Sequence, residues 1–133
     1  MGRISVSILT PEKVIFEGSA DEIYMHLHDG ERGFLPGHAP IMGTLGIGLM
    51  RLREAGKVSA FEIEGGFLEM SGNRMIVLAE EAMKKEELSE KSIQSEIHRL
   101  EGLLAGASAK EAAGIRIELK KMRSRMATVL LEI

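Results

Sequence analysis

The hydrophobic period changes once along this chain, and that change constrains the fold more than any other feature. Near the start, Ile4, Val6 and Ile8 alternate with Arg3, Ser5 and Ser7, the period of two that a half-buried strand requires. Near the end, Ala112, Ile115, Leu119, Met122, Met126 and Val129 follow one another at steps of three and four, the stripe of an amphipathic helix. Strands and helices send side chains in different directions at these spacings, so each region accepts only one kind of element. The punctuation agrees. Of the 15 glycines, 12 lie in the first 72 residues together with all three prolines, so tight turns crowd the front and the tail runs without a proline.

Further strands follow from the same alternation: Ile23, Met25 and Leu27 in 22–28, Leu49 to Leu52, and Phe61 and Ile63 set among Ser59, Glu62 and Glu64. The run Met75, Ile76, Val77, Leu78 is nearly continuous and reads as a strand buried on both faces. Ala55-Gly56 and Gly72-Asn73 supply residues that accept positive φ cheaply, and so mark hairpin turns. The expected fold class is α+β in two parts. Residues 1–83 form an antiparallel β-sandwich of about eight to ten short strands, and residues 84–133 form an antiparallel two-helix hairpin. Residues 80–88 read as a charged linker between them. Ile93, Ile97, Leu100 and Leu104 give the first helix its stripe, with Ser89 as N-cap and Leu88 and Ile93 as a hydrophobic staple. Ser108 and Glu111 have the spacing of a capping box for the second. Each seam residue stabilises by roughly 1.5–3 kcal/mol when buried. An isolated hairpin of this size is marginal against chain entropy, so it needs a third surface: the sandwich or another protein.

The composition excludes several functions. There is no cysteine, hence no disulfide framework and no thiolate metal site. No apolar run approaches the ~18 residues of a membrane-spanning helix, and the strand-like start lacks the apolar stretch of a signal peptide. Membrane association is therefore expected only through a protein partner. The net charge of −3 divides into −5 over residues 1–83 (7 basic, 12 acidic) and +2 over residues 84–133 (10 basic, 8 acidic). An acidic front and a basic tail point to different partners for the two parts. Nucleic acid is not among them, because the whole chain is acidic and its basic groups are not interleaved with aromatic ones.

Four motifs carry chemistry worth weighing. His26 and His28 share one face of a strand and Glu31 follows. That is the alphabet of a cupin-like metalloenzyme site, here one residue short of the usual cupin spacing, and exposed strand residues are the simpler account. Gly43, Gly46 and Gly48 lack the phosphate-loop pattern and no long helix follows them, so they read as bends. The stretch 33–40, with Pro36, Pro40, Gly33 and Gly37, is a stiff loop expected to present Phe34, Leu35 and His38 outward, as fold architecture or as a docking surface. In the second helix Arg116, Lys120, Lys121, Arg123 and Arg125 crowd into ten residues, either as a solvated face or as a surface for an acidic protein segment. No catalytic triad or paired-carboxylate constellation can be assembled, and no cofactor is indicated.

Gly30-Glu31-Arg32-Gly33-Phe34-Leu35-Pro36-Gly37-His38-Ala39-Pro40 closely resembles the G-E-x-G-x-x-P-G-H-A-P loop of the epsilon subunits of F-type ATP synthases, whose mitochondrial counterpart is called delta. Gly65-Gly66-Phe67-Leu68-Glu69 followed by 73–79 resembles that family's G-G-x-x-E strand followed by N-x-V-x-V-L-A, and Ile8-Leu9-Thr10-Pro11-Glu12 followed by Phe16-Glu17-Gly18 is similar to its start. The resemblance implies a non-catalytic central-stalk subunit on the cytoplasmic face of a bacterial inner membrane or its organellar counterpart. Its sandwich would join the gamma subunit to the ring of c subunits during ion-driven ATP synthesis. Glu31 and His38 would face the ring. The helices would fold down on the sandwich or extend along gamma, where the five basic residues would approach the catalytic beta and alpha subunits and restrain ATP hydrolysis. The chain departs from the family's ATP-binding members, which carry [I/L]-D-x-x-R-A at the start of the first helix. Here Ser89 replaces the Asp and Ser92 the Arg, so phosphate and ribose contacts are lost and little or no ATP binding is expected.

Overall fold

A computed structural model describes residues 2–132. The strands are β1 (Ile4–Leu9), β2 (Val14–Ala20), β3 (Glu22–Leu27), β4 (Gly30–Phe34), β5 (Ile41–Thr44), β6 (Ile47–Glu54), β7 (Lys57–Ser71) and β8 (Arg74–Lys84). A single 3-10 turn, Lys85–Glu87, leads into α1 (Glu90–Ala105) and α2 (Ala109–Val129).

The strands pair in the order β2-β1-β8-β7-β6-β3-β4, with β5 added to β7. The long β7 serves both layers. Its first half, through Glu64, pairs with β6, and its second half, from Phe67, pairs with β5. Gly65 and Gly66, with φ of 78° and 114°, make the bend between the halves. A β-carbon on Gly66 would lie 2.0 Å from the Leu78 carbonyl oxygen, so only glycine brings the two backbones this close. Both expected tight turns form, at Ala55-Gly56 and Gly72-Asn73, all four residues at positive φ. One core fills the space between the layers, from Ile4, Val6 and Ile8 through Met25, Phe34, Met50 and Leu68 to Met75 and Val77.

The structure departs from the sequence expectations in four places. The sheet is not wholly antiparallel: β1 lies parallel to β8, Ser5 opposite Arg74 through Leu9 opposite Leu78, because the chain crosses the whole sandwich before β8 returns beside its start. Residues 80–84 are not linker but the end of β8, paired with the first half of β7. The strand 74–79 is not buried on both faces, since Met75, Val77 and Ala79 point inward while Leu78 is exposed. Phe34 points into the core, not outward.

The hairpin seam forms as the helical spacing requires. Ile93, Leu100, Leu119 and Met122 are buried together, flanked by Leu88, Ile97, Leu104, Ile115, Met126 and Val129. Ser89 caps α1 by accepting from the Ser92 amide, and Ser108 and Glu111 close a reciprocal capping box on α2. The third surface is the sandwich: α2 packs on β6 and β7.

Candidate functional site

The loop after β4 is built from the core outward. Phe34 anchors it, and the His38 ring tilts against Phe34 with 4.8 Å between centroids. The Gly37 amide donates to Asn73 Oδ1 at 2.6 Å and the His38 amide to the Leu35 carbonyl at 3.1 Å. The loop is thus pinned to the β7–β8 turn through Gly37 and to the core by Phe34, while Leu35 stands in solvent. Glu31 lies exposed on β4, its carboxylate 3.9 Å from His26 Nδ1. His28 lies beyond Leu27 on the same outer face as His26. Among the described residues no group of three metal-ligating side chains assembles, so His26, His28 and Glu31 do not build the metal centre that their types allow.

A second feature escaped the sequence. Phe67 on β7, Leu78 on β8 and Met42 on β5 are 61%, 51% and 75% exposed, and with Ile76 they line an open apolar groove. Thr44 lies opposite Phe67, and Phe67 opposite Leu78, so these side chains come from adjacent strands and form one face. The signal was present in the run 75–78: read with strict alternation, it leaves Ile76 and Leu78 on a face that nothing among the described residues covers.

The third feature joins the two parts. Glu62 and Glu64 alternate with Phe61 and Ile63 as expected, but the face they occupy is not solvated, because α2 covers it. Both carboxylates are buried. Arg125 Nε and Nη2 donate to the two oxygens of Glu64, each at 2.7 Å, and Nη2 also reaches Glu81 at 3.4 Å. Thr128 donates its hydroxyl to Glu62 Oε1 at 2.7 Å. Glu62 Oε2 is buried without a partner. Burial pushes the Glu62 carboxyl up to about 8, against the hydroxyls of Thr128 and Ser124 and with help from the neighbouring Glu64. The Glu64 hydrogen bonds hold the Arg125 guanidinium above its ordinary value, firmly charged.

The five basic residues of α2 therefore divide. Arg125 is spent on Glu64. Lys121 reaches Glu81 at 3.4 Å and Glu118 at 3.6 Å, and Arg123 reaches Glu101 of α1 at 3.4 Å. Arg116 and Lys120 are exposed and make no ion pair among the described residues. Ser89 and Ser92 serve as cap and capped amide of α1.

Sandwich, stiff loop, exposed apolar face and docked hairpin define a two-part protein whose distinctive residues lie on its outer faces and at the contact between its parts. Residues 3–85 match the family described as the beta-sandwich domain of the ATP synthase delta/epsilon chain. The chain belongs to the ATP synthase epsilon-chain family. An ATP synthase epsilon chain of Desulforudis audaxviator is 40% identical over 100 residues, covering 75% of this chain and 73% of that one. Its counterpart in Leptospira borgpetersenii is 34% identical over 101 residues, covering 74% and 80%. A chain in the Euglena gracilis mitochondrial ATP synthase assembly of OSCP, F1 and c-ring superimposes with a TM-score of 0.87 over 97% of this chain and 82% of that one. At 19% identity, that likeness is one of fold.

Proposed function

We propose that this chain is a non-catalytic rotor subunit that joins the gamma subunit to the c-ring. The observation that carries the reading is the uncovered apolar face of Met42, Phe67, Ile76 and Leu78 on β5, β7 and β8. Large apolar side chains grouped on one face mark a protein interface, and gamma is the partner assigned to it. Family membership supports the assignment, as does the shared fold, at a TM-score of 0.65 and 14% identity, of a chain in the central stalk and c-ring of the Tetrahymena thermophila mitochondrial ATP synthase.

The loop carrying Glu31 and His38 is assigned to the polar loops of the ring. Its anchorage through Phe34 and Asn73 supports this, because a contact that bears torque must not flex. Residues 1–83 thus form the rotor foot and residues 84–133 the regulatory hairpin. Extended, the hairpin would turn Arg116, Lys120, Lys121, Arg123 and Arg125 toward acidic segments of the catalytic beta and alpha subunits and restrain hydrolysis. Among the described residues no helix is long and apolar enough to cross a membrane. The chain would reach the cytoplasmic face of the bacterial membrane, or its organellar equivalent, through the ring.

The test is binding to purified gamma. Replacing Met42, Phe67 and Leu78 by Ser removes three exposed side chains, each worth roughly 1.5 kcal/mol or more when buried. The triple variant should keep the parent unfolding curve and lose more than about 100-fold in affinity. Binding within threefold of the parent would remove gamma from this face.

A further inference from the structure

We propose that the contact between α2 and the sandwich is a proton-operated latch: a proton on Glu62 keeps the hairpin docked, and its loss frees α2 together with Arg125 and Lys121. The argument rests on charge balance in a closed space. Glu62 and Glu64 stand two residues apart on one face of β7, both buried beneath α2. A single guanidinium enters that space, and both of its hydrogen bonds under 3 Å go to Glu64. Glu62 meets only neutral hydroxyls, Thr128 donating to one oxygen and Ser124 lying nearby, and its second oxygen is buried with no hydrogen-bond partner. A carboxylate in that position would be a second buried anion against one cation.

Among the described residues no other cation forms an ion pair with Glu62 or Glu64. From α2, Lys121 turns to Glu81 and Glu118, and Ser124 and Thr128 present hydroxyls. From β8, Glu81 faces Arg125 and Lys121 and adds negative charge. From β6, Leu49 lies opposite Glu62, and Arg51 is drawn over the Tyr24 ring, 5.0 Å from its centroid. In the 3-10 turn before α1, the Glu87 carboxylate is engaged with the Lys84 amide. Charge neutrality at the interface is therefore reached by protonating Glu62.

Docking then takes up a proton. An undocked Glu62 sits in water with an ordinary carboxyl value near 4.5, and the docked one near 8. Below that window both forms hold the proton, and above it neither does. Within it, the docked form alone holds the proton, so the docking constant falls about tenfold per pH unit as pH rises. Hairpin release becomes a response to alkalinity, and it exposes Arg125 and Lys121 at the same moment. This goes beyond the rotor reading and is tested on the isolated full chain, so its failure leaves the gamma contact untouched.

With no native cysteine, Lys57→Cys at the start of β7 and Lys110→Cys at the start of α2 accept a fluorophore pair without other changes. Energy transfer is followed from pH 5 to 9 in the parent and in Glu62→Gln. A fixed, low urea concentration weakens docking at every pH and brings it into measurable range without altering the buried charges. The latch requires docking of the parent to fall about tenfold per pH unit in that urea. It also requires Glu62→Gln to stay docked with no slope, and the Glu62 carboxyl signal of the isotope-labelled parent chain to titrate well above 4.5. A flat response of the parent in urea, an unchanged slope in Glu62→Gln, or an ordinary Glu62 titration would each overturn the proposal.

Discussion

Replacing Arg125 by Ala tests the interface between the two parts most directly. The substitution removes both 2.7 Å hydrogen bonds to Glu64 and leaves that carboxylate buried beside Glu62. Breaking a buried pair by removing one partner typically costs about 3–5 kcal/mol, because the remaining charge has lost water and partner together. The Arg125 side chain is 18% exposed and Glu64 fully buried, which places the expectation at the lower end, about 3 kcal/mol. The lost contact to the half-exposed Glu81 adds little. The cost has a ceiling: once it exceeds the free energy of docking, the hairpin leaves the sheet and Glu64 regains water. Urea denaturation of the full chain should therefore show a first transition, the helices separating from the sandwich. The thermal midpoint should fall by roughly 10 °C for a chain of this size. Adding Glu64→Gln to Arg125→Ala should restore about 2 kcal/mol, since the stranded charge is gone. A loss under about 0.5 kcal/mol in the single variant, or no recovery in the double, would refute the reasoning.

Two further perturbations test the parts separately. Gly66→Ala drives a β-carbon to 2.0 Å from the Leu78 carbonyl oxygen at a φ of 114°. It should destabilise the sandwich by about 3 kcal/mol or more, and a thermal midpoint within 3 °C of the parent's would contradict that. Ser108→Ala opens the capping box of α2 and should cost about 1 kcal/mol of helix stability, read by circular dichroism. In the parent, the Ser108 amide holds the Glu111 carboxyl below its usual value. The acidic half of the box is therefore complete above the ordinary carboxylate range and is lost as pH falls through that lowered value. The variant should show less of this acid loss than the parent.

The fold was legible wherever one residue type does one job. Gly56, Gly72 and Asn73 sit at positive φ and make the turns their identities demand. Ser89 and Ser108 cap the helices they precede. The seam residues Ile93, Leu100, Leu119 and Met122 bury as their spacing requires. Legibility failed where a residue's surroundings come from a distant segment. Phe34 and Leu35 adjoin in a loop of prolines and glycines, and only the sandwich core, closed by strands far along the chain, decides which one turns inward. Alternation placed Glu62 and Glu64 on the outer face, correctly, but could not say that a helix 60 residues later would cover it. The parallel pairing of β1 with β8 is non-local in the same sense.

That failure bears on how the basic helix is understood. A run of five cations reads as one surface, yet docking distributes it among separate partners. Arg125 enters the sheet, Lys121 bridges Glu81 and Glu118, Arg123 returns to α1, and Arg116 and Lys120 remain exposed. A guanidinium held by two hydrogen bonds to a buried carboxylate cannot also meet an acidic segment of another subunit. If the hairpin restrains hydrolysis when extended, docking must weaken that restraint by withholding Arg125 and Lys121, and substitutions at Glu64 must strengthen it. Hydrolysis by the assembled enzyme carrying Glu64→Gln should therefore fall below the parent rate, while Arg125→Ala, which frees the hairpin but deletes the cation, should not lower it as far. Equal inhibition by the two variants would mean that the hairpin acts by bulk alone and that Arg125 serves only to hold it down.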